Sequence, residues 1–288
     1  MLVTALWLLA ALAALASIYL AYAKANASAS SLPGERVQAE AAIHAGVELA
    51  AYQALGAPDP TQKRRGHIQT RLGRARVTVD YRSEAARIDI NAAPREMLVG
   101  LLAALGVAAD EAQTDAGRIL DWRGSADQKT AQQDAADYEA AGLRYGPRQG
   151  PFGNALELSL VLGLPAPLVA RLQRYVTIYN GDAKVNVLDA DPLVLAALPQ
   201  MTPALLEPLL KLRADPDADP ASLTQALGPA AKFAAFGPSK VVRAEIGVDT
   251  DNGRKFRAEI VFSLNDKGDE PFEILDWRDD FDGPFERG

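Results

Sequence analysis

The chain has 288 residues, 49% of them hydrophobic, which is enough for about two domains with a sizeable core. Its formal net charge of −7 argues against a protein that holds nucleic acid by bulk electrostatic attraction, because phosphate binding needs a basic surface. The absence of cysteine excludes disulfide bonds and thiolate chemistry, and it assigns no redox compartment.

Residues 1–23 form an apolar segment without a charged side chain. A helix of this length spans about 34 Å, which is enough to cross the core of a bilayer. A cleaved secretory signal is the alternative, since small-residue sites follow at Ala21–Ala23 and Ala27–Ala29. The apolar run is longer than a usual signal core and no basic segment precedes it, so we favour a retained transmembrane helix over residues 1–23.

Residues 24–83 contain a predicted helix followed by two predicted strands. Pro33–Gly34 predicts a break, after which residues 35–55 have helical periodicity. Apolar and polar side chains alternate within 66–82, with Gly73 at the turn of a hairpin. The helix offers an apolar stripe suited to side-by-side packing with other helices, and we predict that this stripe is an interface. Its members are Val37, Ala41, Val47, Ala50 and Tyr52.

Residues 84–239 are rich in alanine and leucine, with proline and glycine between the predicted helices. The stretch contains one short unit twice, beginning near residues 87 and 184. Each copy has two alternating apolar residues, a turn, and then apolar positions at helical spacing. A unit this short cannot bury its own apolar face, so we expect the copies to pack against each other or on a common sheet.

The centre and the end of the chain carry further local signals. Asn154 and Glu157 predict a capping box for a helix after Phe152, and residues 175–180 predict a strand. Residues 240–288 predict a β-meander with a hairpin turn at Asn252–Gly253, followed by an acidic tail. The fold class predicted is α+β, with a large helical insertion between strands.

Enzyme motifs are missing from the sequence. There is no nucleophile elbow, no phosphate-binding glycine loop, and only two histidines, His44 and His67. Because no recognisable spacing pairs the carboxylates either, we predict that the protein is not an enzyme.

The repeated unit also begins like a helix-hairpin-helix module, which binds DNA phosphates through backbone N–H groups at a glycine-rich turn. Here the first turn has one glycine, Gly106, and the second has none, while Pro203 lacks a donor. Residues 84–238 carry 13 Lys and Arg against 19 Asp and Glu, a net charge of −6. A membrane-anchored helix-hairpin-helix protein that binds or takes up DNA is the alternative hypothesis. The missing glycines and the negative charge argue against it, so we expect no nucleic-acid partner.

An ordered series of motifs resembles the minor pseudopilin K of type II secretion systems, the general secretion pathway protein K. The series consists of RIDINAAPREML at 87–98, ILDWR at 119–123, Tyr138, YGPRQGPF at 145–152, LELSLVLGL at 156–164, RLQRYVTIYNG at 171–181 and the second unit. The resemblance covers nearly the whole chain. It implies a pilin-like N-terminal helix and antiparallel sheet, with an inserted helical domain that contains two SAM-like or helix-hairpin-type units.

The resemblance also implies a cellular role. Such proteins are single-pass inner-membrane proteins with a periplasmic C-terminal domain at the pseudopilus tip, where they initiate assembly and support export across the outer membrane. The partners implied are the minor pseudopilins I and J, the major pseudopilin G, the inner membrane, and the prepilin peptidase if a leader exists.

Calcium is a further expectation from the resemblance. The family has an acidic run after Asp121–Trp122, but here Gly124 and Ala126 stand where Asp is usual. The candidate metal ligands that remain are Asp121, Asp127 and Asp134.

Overall fold

The computed structural model describes residues 2–56, 65–124, 128–215, 218–237, 239–265 and 270–280. Within helix α1, Leu2–Gly56, it describes the side chains of residues 7, 13–20 and 34–56. The fold combines this long helix, a five-stranded antiparallel sheet and a region of short helices. The predicted α+β class is therefore confirmed.

Helix α1 runs without interruption from Leu2 to Gly56. The break predicted at Pro33–Gly34 is wrong, because a proline removes its own backbone donor and a long helix can continue past it with a local bend. The backbone of the predicted membrane segment, residues 1–23, is helical from Leu2, but most of its side chains lie outside the described residues. Within the part of the chain that is described, no helix combines the length and the apolarity that a membrane span requires.

The sheet has the strand order β1-β2-β7-β8-β9, with every neighbouring pair antiparallel. Its strands are β1 Arg65–Leu72, β2 Ala75–Ser83, β7 Val241–Asp249, β8 Lys255–Leu264 and β9 Phe272–Asp279, and β3 to β6 are two-residue strands between β2 and β7. Gly73 has a φ of +57° in the tight turn between β1 and β2, which a residue without Cβ adopts easily. These strands confirm both the predicted hairpin within 66–82 and the predicted meander.

The C-terminal part of α1 packs on one face of the sheet, and we call α1 and the sheet together the sheet body. The buried side of the helix repeats at intervals of three and four residues, as expected for a helix on a sheet. It consists of Ala39, Ala42, Ile43, Val47, Ala50, Ala51 and Ala54. Gly46 lies in this contact, where an added Cβ would be 3.0 Å from Ile246 Cδ1, so the helix backbone approaches the sheet closely.

Residues 84–240 connect β2 to β7, its direct neighbour in the sheet, and we call them the helical region. Its α-helices are α2 Arg95–Ala104, α3 Ala109–Arg123, α4 Gln128–Ala140, α5 Ala166–Leu172, α6 Pro192–Ala196, α7 Pro203–Arg213 and α8 Pro220–Leu227. Its 3₁₀ helices are Glu84–Ala86, Ala155–Leu160 and Gly228–Phe233, and its strands are β3 Ile88–Asp89, β4 Val176–Thr177, β5 Val185–Asn186 and β6 Ala234–Ala235. The region has a hydrophobic core of its own, separate from that of the sheet body.

The two repeated units have the same local construction. Unit 1 is β3-α2-α3 and unit 2 is β5-α6-α7, and each begins with a two-residue strand that pairs in parallel with a later one, β4 or β6. The second residue of that strand accepts a hydrogen bond from the backbone two residues on. Asn91 N donates to Asp89 Oδ1 over 2.8 Å, and Leu188 N donates to Asn186 Oδ1 over 3.0 Å.

In each unit, an arginine at the end of the second helix donates hydrogen bonds to backbone carbonyls that precede the first helix. Arg123 Nη1 donates to the carbonyl of Ile90 over 2.7 Å. Arg213 Nη1 donates to the carbonyls of Val187 and Ala190, over 3.2 and 2.6 Å. The two arginines are not aligned in the ungapped repeat, because the second helix of unit 2 begins earlier in the repeat and is also shorter.

The two units pack against each other at one close contact. A Cβ placed on Gly100 of α2 would lie 2.5 Å from the carbonyl oxygen of Ala197, which follows α6. Only glycine permits this approach. The packing of one copy against the other, predicted as one of two possibilities, is therefore confirmed.

The helices of the helical region begin with different kinds of cap, and one of them was predicted. Pro94 precedes α2 without a side-chain cap, whereas Asp191 caps α6 by accepting from Leu193 N over 2.8 Å. Asn154 Oδ1 accepts from Leu156 N over 2.9 Å, but it caps a 3₁₀ helix. Glu157 accepts instead from Gly153 N, Arg148 and Trp122, so the reciprocal half of the predicted capping box is wrong.

Candidate interaction surfaces

The predicted interface residues of α1 lie on two opposite sides of the helix. Val47 and Ala50 are 1% and 0% exposed, because they pack on the protein's own sheet. Val37 and Tyr52 are 65% and 79% exposed, and Ala41 is also exposed. Val47 and Ala50 are therefore corrected to core residues, since no partner can reach them in this structure. Val37, Ala41 and Tyr52 remain as a free apolar stripe.

An apolar groove of about 790 Å³ adjoins the end of this stripe. Ala45, Leu49, Tyr52 and Leu55 of α1 form one side of it. Leu72 at the end of β1 and Phe272 at the start of β9 complete the lining. No local pattern in the sequence indicates the groove, because its walls come from three elements that are far apart in the chain.

A buried charge cluster joins the sheet body to the helical region. Arg243 of β7 donates from Nε to Glu84 Oε1 over 2.6 Å and from Nη1 to Glu259 of β8. Burial would raise the pKa of Glu84, but the charges of Arg243 and Arg87 outweigh it and lower the pKa to about 2. All three members of the Glu84–Arg243–Glu259 triad are at most 5% exposed. The helical region begins with the 3₁₀ helix that contains Glu84. The triad attaches this helix to two inner strands of the sheet, β7 and β8.

The candidate calcium ligands are only partly described. Burial, together with the charge of Asp134, raises the pKa of Asp121, so these two carboxyl groups are electrostatic neighbours. Asp127 lies outside the described residues. Among those that are described, no group of three or more acidic, histidine or cysteine side chains is arranged to hold a metal ion. Because calcium takes six to eight oxygen ligands, Asp121 and Asp134 alone do not make a site, and calcium binding stays a prediction.

The helix-hairpin turns have a geometry that does not favour phosphate. Gly106 and Gln200 both have positive φ, +84° and +67°, so the turns of the two units are alike in shape. Helix α3 begins with Asp110 and Glu111 in its first turn, which would repel a phosphate at that helix end. The carbonyl of Leu105 is already bound by Arg171 Nη2 over 2.5 Å. These contacts indicate packing units and not a DNA clamp.

The chain is similar to known proteins both in sequence and in fold. Residues 78–181 match the family model of the type II secretion system (T2SS), protein K. No curated protein that was compared matches the chain significantly in sequence. The fold is similar to that of a chain in the crystal structure of the GspK–GspI–GspJ complex from the type 2 secretion system of enterotoxigenic Escherichia coli, with a TM-score of 0.62.

The structural match is broad although the sequences have diverged. The two chains are 17% identical, and the match covers 85% of this chain and 97% of the other. At this identity it shows a shared fold, while the family model supplies the sequence evidence. The resemblance of this chain to type II secretion system protein K is therefore confirmed, in sequence over residues 78–181 and in fold over most of its length.

Proposed function

We propose that this chain is a non-enzymatic minor pseudopilin of a type II secretion system. It sits at the tip of the periplasmic pseudopilus, initiates its assembly, and supports protein export across the outer membrane. The observation that carries the proposal is the match of residues 78–181 to the protein K model in a chain whose overall fold is also similar to one in a GspK–GspI–GspJ complex.

The architecture supports a position at the tip. The helical region, residues 84–240, is more than half of the 288-residue chain and leaves the sheet between two neighbouring strands. A subunit with this bulk at its side is unsuited to head-to-tail repetition along a thin filament, so it ends the filament instead of extending it. The helical region acts as an inserted domain with two SAM-like units, free to face cargo or the outer-membrane pore.

The proposal includes the anchor and the partners. Residues 1–23 hold the chain in the inner membrane as a single span, with the sheet body and helical region in the periplasm. The minor pseudopilins I and J pack along the exposed stripe of α1, and the major pseudopilin G assembles below them. The free apolar side chains of Val37, Ala41 and Tyr52 support this arrangement.

Co-expression of the full chain with pseudopilins I and J of the same secretion system tests the assembly. Native mass spectrometry of the detergent-solubilised product is expected to show a complex with one copy of each subunit. Detection of this chain only alone, or only as a homo-oligomer, would contradict the proposed function.

Mass spectrometry of the protein isolated from cells tests the anchor. A mature chain that retains the apolar segment is expected, including one trimmed within that segment by a peptidase. Cleavage after Ala23 or Ala29 would instead identify a secretory signal, and the predicted membrane anchor would then be wrong.

A further inference from the structure

The five-stranded sheet has two edges, and one of them is regular. Strand β9 forms one edge, and a register shift between Val261 and Phe262 interrupts its pairing with β8. Strand β1 forms the other edge, and all of its 8 residues pair with β2 without a shift. Among the described residues, the backbone of β1 pairs only with β2. Such an edge presents unpaired N–H and C=O groups to any extended segment that can lie beside it.

The side of β1 that faces the core is incompletely covered. Ile68 and Leu72 pack against the core of the sheet body but are only partly buried, and Thr70 between them is also half-buried. The strand contains neither a proline nor a bulge, two features that commonly block the addition of a further strand. A strand beside β1 would therefore complete both its hydrogen bonding and its apolar cover.

The opposite side of β1 and β2 is strongly basic, although the whole chain has a net charge of −7. Residues 65–82 contain five arginines and one acidic side chain. The register sets arginine directly opposite arginine twice, with Arg65 beside Arg82 and Arg71 beside Arg76. Like charges at opposed positions destabilise a sheet, whereas opposite charges stabilise it. Carboxylates on a neighbouring strand would thus relieve this repulsion.

Two of these arginines have carboxylate partners within the chain. Arg65 lies 3.5 Å from Asp189 and Arg71 lies 3.2 Å from Asp251, with 61% and 67% of the arginine side chains exposed. Ion pairs that are open to solvent contribute little to stability, and a guanidinium group has five donors. Both arginines can therefore bind a further carboxylate.

The other two arginines are exposed, and within the described part of the chain Arg76 and Arg82 make no ion pair. A hollow of about 480 Å³ opens at the start of β1, where Arg65 and Arg82 contribute to its lining together with Asp189. A carboxylate opposite Arg65 on an added strand has space there beside two guanidinium groups.

We propose that the free edge of β1 accepts an extended acidic segment of another protein as a further strand of the sheet. Its backbone pairs with β1, its carboxylates stand opposite Arg65 and Arg71, and the apolar residues between them cover Ile68 and Leu72. The arginines disfavour a second copy of this chain as the partner, because two β1 strands side by side would bring like charges together. This binding site is additional to the proposed function and does not depend on pseudopilins I and J.

Fluorescence anisotropy with the detergent-solubilised full chain and labelled synthetic peptides tests the proposal. The first peptide alternates glutamate with valine over about ten residues, which spans the length of β1. The second has lysine in place of glutamate, and the third keeps the glutamates but has proline in place of two central valines, so it lacks backbone donors there. The first peptide should bind at least about tenfold more tightly than either of the others. It should also increase the protection of residues 65–72 against hydrogen exchange.

A charge reversal in β1 tests the position of the site. Arg71→Glu should weaken binding of the first peptide about three- to tenfold at low salt, with a smaller difference at high salt, where the charges are screened. The matched control is Arg144→Glu, which makes the same change of charge at an exposed arginine of the helical region and should leave binding unchanged.

Three results would overturn the proposal. Equal binding of the proline peptide would show attraction without strand pairing, and equal binding of the lysine peptide would show that the edge does not select an acidic partner. No binding of the first peptide at low salt would exclude the site altogether. None of these results concerns assembly with I and J, so the proposed function stands or fails separately.

Discussion

The sheet body and the helical region bury their cores in different ways. In the sheet body, α1 covers one face of the sheet with its alanine-rich side, and its opposite side remains open with Val37 and Tyr52 exposed. In the helical region, two similar units and the segments around them close over one core that includes Met97, Leu101 and Leu195. The helical region therefore buries its apolar side chains largely against one another, whereas the sheet body leaves apolar side chains of α1 exposed to solvent.

The largest effect is expected from a charge placed in the core of the sheet body. Val47→Asp puts an unpaired carboxylate at a position that is 1% exposed, which should lower the free energy of unfolding by several kcal/mol. Hydrogen exchange measured by mass spectrometry should then show lost protection in the sheet strands. Tyr52→Asp is the matched control on the open side and should change stability by no more than about 0.5 kcal/mol. Equal effects of the two substitutions would show that the two sides of α1 have been assigned wrongly.

The junction between the two regions is the next most sensitive place. Arg243→Met removes the cation that donates to both Glu84 and Glu259 and leaves them only the more distant Arg87 and Arg278, which should cost about 3–5 kcal/mol in urea unfolding. Arg71→Met is the control, because it removes an exposed ion pair with Asp251 and should cost less than about 1 kcal/mol. A loss at Arg243 no greater than that at Arg71 would contradict the role of the triad as the joint between the regions.

The same triad predicts a dependence of stability on pH. The pKa of Glu84 is lowered from its usual value of 4.5 to about 2, so its stabilising contribution is complete above pH 4.5. It should be lost as the pH falls from about 4.5 to 2, since the folded protein must then take up the proton that the unfolded chain already holds. Urea unfolding of Glu84→Gln should have a weaker pH dependence over that range than the wild type. An identical dependence in both proteins would rule out Glu84 as its source.

A smaller effect is expected where the two units of the helical region meet. Gly100→Ala places a Cβ about 2.5 Å from the carbonyl oxygen of Ala197, so the units must move apart, at a cost of about 1–3 kcal/mol. The same change at Gly34 in α1 meets no atom within 4 Å and should stabilise the helix by about 0.5–1 kcal/mol. Thermal unfolding of the two variants should therefore move in opposite directions. A shift of the same sign in both would show that the units are not in close contact at Gly100.

Local patterns in the sequence were sufficient to predict the sheet. Val77, Val79 and Tyr81 alternate with polar residues, and Gly73 and Asn252–Gly253 mark two of its hairpins, so the strands were found to within a few residues. The repeated unit was also visible, because its apolar spacing is the same in both copies. Its closing arginines were not, since Arg123 and Arg213 lie at different distances from the start of their units.

The orientation of α1 could not be predicted in the same way. Between Val37 and Ala54 nearly every side of the helix carries alanine or a larger apolar residue, so its periodicity does not distinguish the side that faces the sheet from the side that stays exposed. The distinction depends on Ile246 and Val79 packing around Gly46, which is a contact between distant parts of the chain. The groove was missed for the same physical reason, because Leu72 and Phe272 reach α1 only in the folded sheet.

Photo-crosslinking in cells that carry the complete secretion system tests the central claim most directly. A photoreactive amino acid at position 52, on the open side of α1, should crosslink this chain to pseudopilin I or J. The same amino acid at position 160, on the helical region, should give no crosslink to either subunit. Crosslinks to I or J from position 160 but none from position 52 would contradict the account, because the partner subunits would then dock on the helical region.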